Sequence, residues 1–134
     1  MFRLTIRCEF DSGHRLLDYE GPCCRLHGHH YVVEVTVAGT SLNHLGMLVD
    51  FGDVKPLVMS QVQIWDHRTL LNPMDPLVKQ LPAEQVVLME NGNPTAENMA
   101  EDLYDSIYGE LPDGVQLVRV RLYETPNCWV DYGE

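Results

Sequence analysis

Two long runs of strict alternation constrain this chain more than any other feature. Residues 2–10 put Phe2, Leu4, Ile6, Cys8 and Phe10 on one side and Arg3, Thr5, Arg7 and Glu9 on the other, which is the pattern of a half-buried strand. If the backbone stays extended, Ser12 and His14 keep the apolar parity, and His14 emerges at the end of the buried face. From His27 the same parity runs through His29, Tyr31, Val33, Val35 and Val37, and Gly39 ends it. Pairing the two runs in a hairpin-like manner brings His14 toward His27 and His29. His-x-His alone is a weak signal, because histidines near a strand start most often cap or hydrogen-bond. With His14 as a third ligand the arrangement becomes that of a catalytic zinc site, whose open fourth position takes water or a substrate oxygen. Cys23 and Cys24, just upstream, offer a nucleophile or base beside it.

Between the runs, residues 15–26 contain Gly21-Pro22 and read as a loop. Residues 46–51 form a short extended piece, after which Asp53 is the expected helix cap. Val54, Leu57, Val58, Val62 and Trp65 follow helical spacing, with Pro56 tolerated in the first turn. Asp66-His67 comes directly after this helix. Such a pair is usually a chance surface contact, and its functional use is a proton relay in which the carboxylate orients the imidazole. Three prolines, Pro73, Pro76 and Pro82, mark a long connection over 73–93, with Val86-Val87-Leu88-Met89 as a short strand or edge piece. A second helix is predicted from Thr95 as cap, with Ala96, Met99, Ala100, Leu103 and Ile107 inward and Gly109 as its stop.

Residues 115–124 read as a strand in which Glu124 continues the parity of Val118, Val120 and Leu122. A carboxylate on an apolar face is costly to bury without a partner. Either the strand emerges into water there, or Glu124 binds a ligand at the sheet edge. Cys128, Val130 and Tyr132 suggest a final short strand with Cys128 packed inward. The order is ββααββ: an α+β domain with a four-stranded antiparallel sheet and two helices on one face.

The length fits one domain over residues 1–134. A formal net charge of -11 disfavours nucleic acid and anionic membrane as partners. No charged-then-apolar leader and no apolar run of bilayer length is present, so a soluble, cytoplasmic protein is expected, with its four cysteines reduced.

Taken together, Phe10-x-x-x-His14-Arg15-Leu16, Cys23-x-Arg25-Leu26-His27-Gly28-His29, Val49-Asp50-Phe51, Asp66-His67 with Leu71-Asn72, Asn93-Pro94-Thr95-Ala96-Glu97-Asn98 and Glu124-Thr125 resemble the 6-pyruvoyl-tetrahydropterin synthase and 6-carboxytetrahydropterin synthase family. The resemblance implies a tunnelling fold (T-fold) whose sheets join between subunits into a barrel, commonly as a homohexamer with active sites at subunit interfaces. It implies zinc held by His14, His27 and His29, Cys23 as the catalytic thiol, Asp66 and His67 as its relay, and Glu124 with Thr125 as the pterin-binding residues. The implied substrate is 7,8-dihydroneopterin triphosphate. The spacing Cys23-x-x-x-His27 resembles the 6-carboxytetrahydropterin synthases of the queuosine (deazapurine) pathway, which release acetaldehyde and triphosphate together.

Three rivals stand beside this reading. One is a 6-pyruvoyl-tetrahydropterin synthase that only eliminates triphosphate. Another is a catalytically silent pterin- or metal-binding paralogue, against which the joint presence of Cys23, Asp66, His67 and Glu124 argues. The last is a zinc hydrolase, whose usual His-Glu-x-x-His pattern is absent. Arg15, Arg25, Lys55 and Arg68 are the candidate triphosphate ligands, and Cys24 competes with Cys23 for the role of thiol.

Overall fold

The computed structural model describes residues 1–134. Strands β1 (Phe2–His14) and β2 (His27–Gly39) pair antiparallel along their full length, with Phe2 opposite Gly39 and His14 opposite His27. The alternation that forecasts them therefore runs to the histidines without interruption. Helix α1 (Phe51–Trp65) follows, then β3 (Arg68–Leu71), β4 (Val86–Leu88), α2 (Ala96–Tyr108), β5 (Gln116–Thr125) and β6 (Cys128–Gly133). The sheet has six strands in the order β4-β3-β1-β2-β5-β6.

This corrects the expected four-stranded sheet in number and in direction. Strands β1, β2, β5 and β6 pair antiparallel as predicted, but β3 runs parallel to β1 and β4 parallel to β3. Strand β4, three residues long, is the short edge piece expected within Val86–Met89, whereas the four residues of β3 are too few for alternation to distinguish them from a connection. The order of elements becomes ββαββαββ.

One apolar layer holds the fold together. Ile6, Cys8, Phe10, Tyr31, Val33, Val35, Val120 and Leu122 face Val54, Val58, Val62 and Trp65 of α1 and Met99, Leu103 and Ile107 of α2 in a single cluster. Both helices thus cover the same side of the sheet, and each large side chain they bury contributes about 1.5–3 kcal/mol. Helix α2 begins and ends as predicted, with Thr95 accepting the Asn98 N–H and Gly109 at the C-cap. Helix α1 does not: its N-cap is Asp50, which accepts the Gly52 N–H at 2.8 Å, and Asp53 sits inside the first turn. Cys128 is also corrected. It lies exposed at the start of the edge strand β6, beside the β5–β6 turn. No helix is long and apolar enough to cross a membrane.

Candidate metal centre and active site

The β1–β2 register carries the site. With His14 opposite His27, and His29 one same-face step further along β2, the imidazoles converge at the end of the buried face. His27 Nε2 lies 3.1 Å from the Nε2 atoms of both His14 and His29. The three form a group whose ligand atoms all fall within 4.8 Å of one another.

The outer nitrogens of two rings are committed to carbonyls. His14 Nδ1 donates to the Pro94 carbonyl at 2.7 Å, and His27 Nδ1 donates to the Arg25 carbonyl at 2.6 Å. Each Nε2 then presents a bare lone pair, and lone pairs at these separations repel unless a cation lies among them. A proton on His29 Nε2 satisfies one contact only, whereas a divalent ion satisfies all three. Backbone carbonyls that fix the tautomer of ligating histidines are the usual second layer of a metal site. Burial also pushes the pKa of His14 and of His29 down, more than nearby Glu124 raises them, so both rings favour the neutral, ligating form. The residues present therefore fit a zinc-type ion. Tyr31, fully buried, packs edge-on against His14 and His29 and stacks on Phe10, giving the cluster a rigid floor.

Glu124 neither emerges into open water nor sits in the core. Its side chain is half-buried, and its Oε1 lies 3.4 Å from His14 Nε2 and 3.5 Å from His29 Nε2. Thr125, the next residue along β5, has the opposite parity; its hydroxyl accepts the Asn127 N–H at 3.3 Å in the β5–β6 turn. Cys23 ends up half-buried in a short 3-10 turn, Pro22–Cys24, and its carbonyl accepts the Leu16 N–H at 2.9 Å, which ties the loop to the exit of β1. Cys24 is exposed.

Asp66 and His67 form the expected pair, with His67 Nδ1 2.9 Å from Asp66 Oδ1. The pair is anchored to β1: Asp66 Oδ1 accepts the Asp11 N–H at 3.0 Å, and the His67 N–H donates to the Asp11 carbonyl at 2.7 Å. These contacts, the backbone bond first, hold the Asp66 carboxyl below the usual range. His67 has a φ of 60°, a left-handed conformation that costs a non-glycine residue about 1–2 kcal/mol. Asp11 has the parity opposite to Ser12 and His14, so the pair lies on the sheet face away from the helices. There His67 shares an open depression of about 480 Å³ with Asp11, Gly13, His29, His30 and Thr69. One chain thus brings His14, His27, His29 and Glu124 together, and it groups Asp66 and His67 with Asp11 in a depression that His29 also lines.

A model of the 6-pyruvoyl tetrahydropterin synthase family matches residues 3–134. This chain belongs to that family. A 6-carboxy-5,6,7,8-tetrahydropterin synthase of Rickettsia bellii is 38% identical over 138 aligned positions, covering 98% of this chain and 99% of that protein. One of Aquifex aeolicus is 32% identical, with 93% of each chain covered. Among solved structures, the 6-pyruvoyl tetrahydropterin synthase of Plasmodium falciparum superposes with a TM-score of 0.81 at 17% identity, over 98% of this chain and 96% of that one. An uncharacterised protein of Wolinella succinogenes gives 0.82 at 23%, over 100% and 99%. At these identities the structures speak to the fold, which is the tunnelling fold.

Within this 6-pyruvoyl tetrahydropterin synthase frame, the Asn93–Asn98 stretch does more than start a helix. Asn93 Oδ1 accepts the Leu17 N–H at 2.9 Å and an Asn72 amide N–H at 3.1 Å, while Asn93 Nδ2 donates to the Leu17 carbonyl at 3.0 Å. The Asn93 carbonyl in turn accepts from Asn98 Nδ2 at 2.8 Å. One amide therefore joins the loop that carries Cys23 to the Pro94 carbonyl that orients His14. Sequence reading identifies the motif but not this task, because the contact spans 76 positions. The candidate phosphate ligands also change. Arg15 forms a two-pronged pair with buried Asp75, and Arg68 donates to the Ile64 carbonyl at 2.8 Å. Both guanidinium groups are thereby engaged, whereas Arg25 and Lys55 are exposed.

Proposed function

We propose that this protein is a zinc-dependent lyase that converts 7,8-dihydroneopterin triphosphate to 6-carboxy-5,6,7,8-tetrahydropterin, with release of acetaldehyde and triphosphate, in the queuosine (deazapurine) pathway of the cytoplasm. The observation that carries the proposal is the convergence of three imidazoles, two of whose tautomers are preset by backbone carbonyls. Its setting in a chain matched end to end by 6-carboxy-5,6,7,8-tetrahydropterin synthases supplies the substrate class.

His14, His27 and His29 would hold the metal, which supplies Lewis acidity and a template for the hydroxyls of the substrate side chain. Cys23 takes the carbon-bound proton as a thiolate, from a loop fixed at its carbonyl. His67, oriented by Asp66, moves the second proton. The strained backbone of His67 supports a functional use, since a glycine there would avoid the cost. The Glu124 carboxylate anchors the pterin by accepting parallel hydrogen bonds from its amino group and ring N–H. Thr125 closes the neighbouring turn and positions Glu124 through the strand.

The family resemblance implies active sites at subunit interfaces, where a second subunit would deliver its Asp66–His67 pair to each thiol. The implied assembly is a homohexamer with shared sites. Exposed Phe2, Leu45, Phe51 and Trp129, together with unpaired edges on β4 and β6, offer the surface for such assembly. The competing product, 6-pyruvoyl-tetrahydropterin, uses the same residues; Cys23-x-x-x-His27 and the names of the curated relatives favour the carboxy product. Stripping metal with a chelator should abolish turnover of 7,8-dihydroneopterin triphosphate, and zinc should restore it. Undiminished turnover by metal-free protein would remove the reading.

A further inference from the structure

We propose that Glu124 is a displaceable fourth ligand: in the substrate-free protein its carboxylate closes the open position of the metal held by His14, His27 and His29, and an arriving pterin ring draws it away. The inference rests on the proposed metal site and on Glu124 as the pterin anchor.

Four ligand atoms from three strands carry it. His27 Nε2 is 3.1 Å from His14 Nε2 and from His29 Nε2, and Glu124 Oε1 is 3.4 Å from the first and 3.5 Å from the second. A tetrahedral zinc ion with ligands at about 2.0–2.1 Å has ligand-to-ligand edges of about 3.3 Å. Every one of these separations is close to such an edge. The contact with His14 also lacks another cause. His14 Nε2 has no proton to donate, because its Nδ1 proton goes to the Pro94 carbonyl. A carboxylate oxygen facing a bare imidazole lone pair is repelled unless a cation sits between them.

The arrangement gives the carboxylate two alternative partners. Without substrate it neutralises one of the two charges of a half-buried dication. With substrate, the pterin amino group and ring N–H offer two parallel donors, and a carboxylate turned to accept both must leave the metal. The coordination position for a substrate oxygen then opens only when the ring is seated, which orders ring binding before side-chain activation.

The test uses full-length protein loaded with cobalt(II) in place of zinc, as wild type and as Glu124→Gln, with Glu124→Asp as the second variant should the first fold poorly. Ligation predicts an intense four-coordinate visible spectrum in the wild type. It also predicts a weaker, altered spectrum in Glu124→Gln, and zinc affinity in chelator competition lowered by about tenfold or more. Adding 7,8-dihydroneopterin should shift the wild-type spectrum. Identical cobalt spectra and zinc affinities in wild type and Glu124→Gln would overturn the proposal. Loss of dihydroneopterin binding by metal-free Glu124→Gln with an unchanged cobalt spectrum would also overturn it, while leaving the pterin anchor standing. Absence of cobalt or zinc binding by wild type would instead remove the underlying metal site.

Discussion

Cys23 and Cys24 are neighbours in sequence but not in circumstance. Cys23 is half-buried with its carbonyl tied to Leu16, and Cys24 is exposed. Replacing Cys23 with alanine should lower kcat by about 10²–10⁴-fold, the usual worth of a positioned general base. Cys24→Ala should stay within about twofold, as for a surface change; steady-state kinetics on both variants decide it. Asp75 makes a different kind of prediction. The Arg15 guanidinium holds its carboxyl below the ordinary value of 3.8, with the Leu77 N–H adding to the effect. A depressed carboxyl contributes stability that is present above its unfolded value and lost as pH falls through its folded value. Asp75→Asn should therefore cost about 2–3 kcal/mol at neutral pH, and its deficit against wild type should narrow below pH 3.8 in urea unfolding across pH. A deficit that stayed constant to pH 2 would contradict the assignment. At this scale the three converging histidines are legible because parity places them on one face. Asp75 was not legible, because nothing local marks an aspartate in a proline-rich connection as buried beside an arginine 60 positions away.

At the scale of elements, β1, β2 and α2 were readable because each repeats its period long enough to be unambiguous. Strand β3 was not, since its four residues Arg68–Leu71 gain their strand identity from the adjacent β1 rather than from their own pattern. The cap of α1 was misplaced because Asp50 and Asp53 carry the same chemical signal, and only the start of the helix at Phe51 separates them. The 73–93 connection, opaque in sequence, proves to be the strap that delivers Asn93 and Asp75 to the loop after β1. Asn93→Ala should release that loop. The expected signs are a several-fold slower turnover and a changed rate of Cys23 alkylation, read in a Cys24→Ala background, with far-ultraviolet circular dichroism unchanged. Unaltered alkylation would mean that the loop is held without Asn93.

At the scale of the molecule, the proposed assembly has one subunit's Asp66–His67 pair serve another subunit's Cys23. Cys23→Ala and His67→Ala should each be nearly inactive alone. Subunits of the two mixed by unfolding and refolding should regain activity, approaching about one quarter of wild type if two subunits share each site and mixing is random. Failure to regain any activity would place both residues in one chain's site. The most direct test of the whole account is to incubate zinc-loaded protein with 7,8-dihydroneopterin triphosphate and identify the released pterin and carbon fragment by mass spectrometry. The account predicts 6-carboxy-5,6,7,8-tetrahydropterin with acetaldehyde; a 6-pyruvoyl product without acetaldehyde, or no turnover by folded, zinc-bound protein, would contradict it.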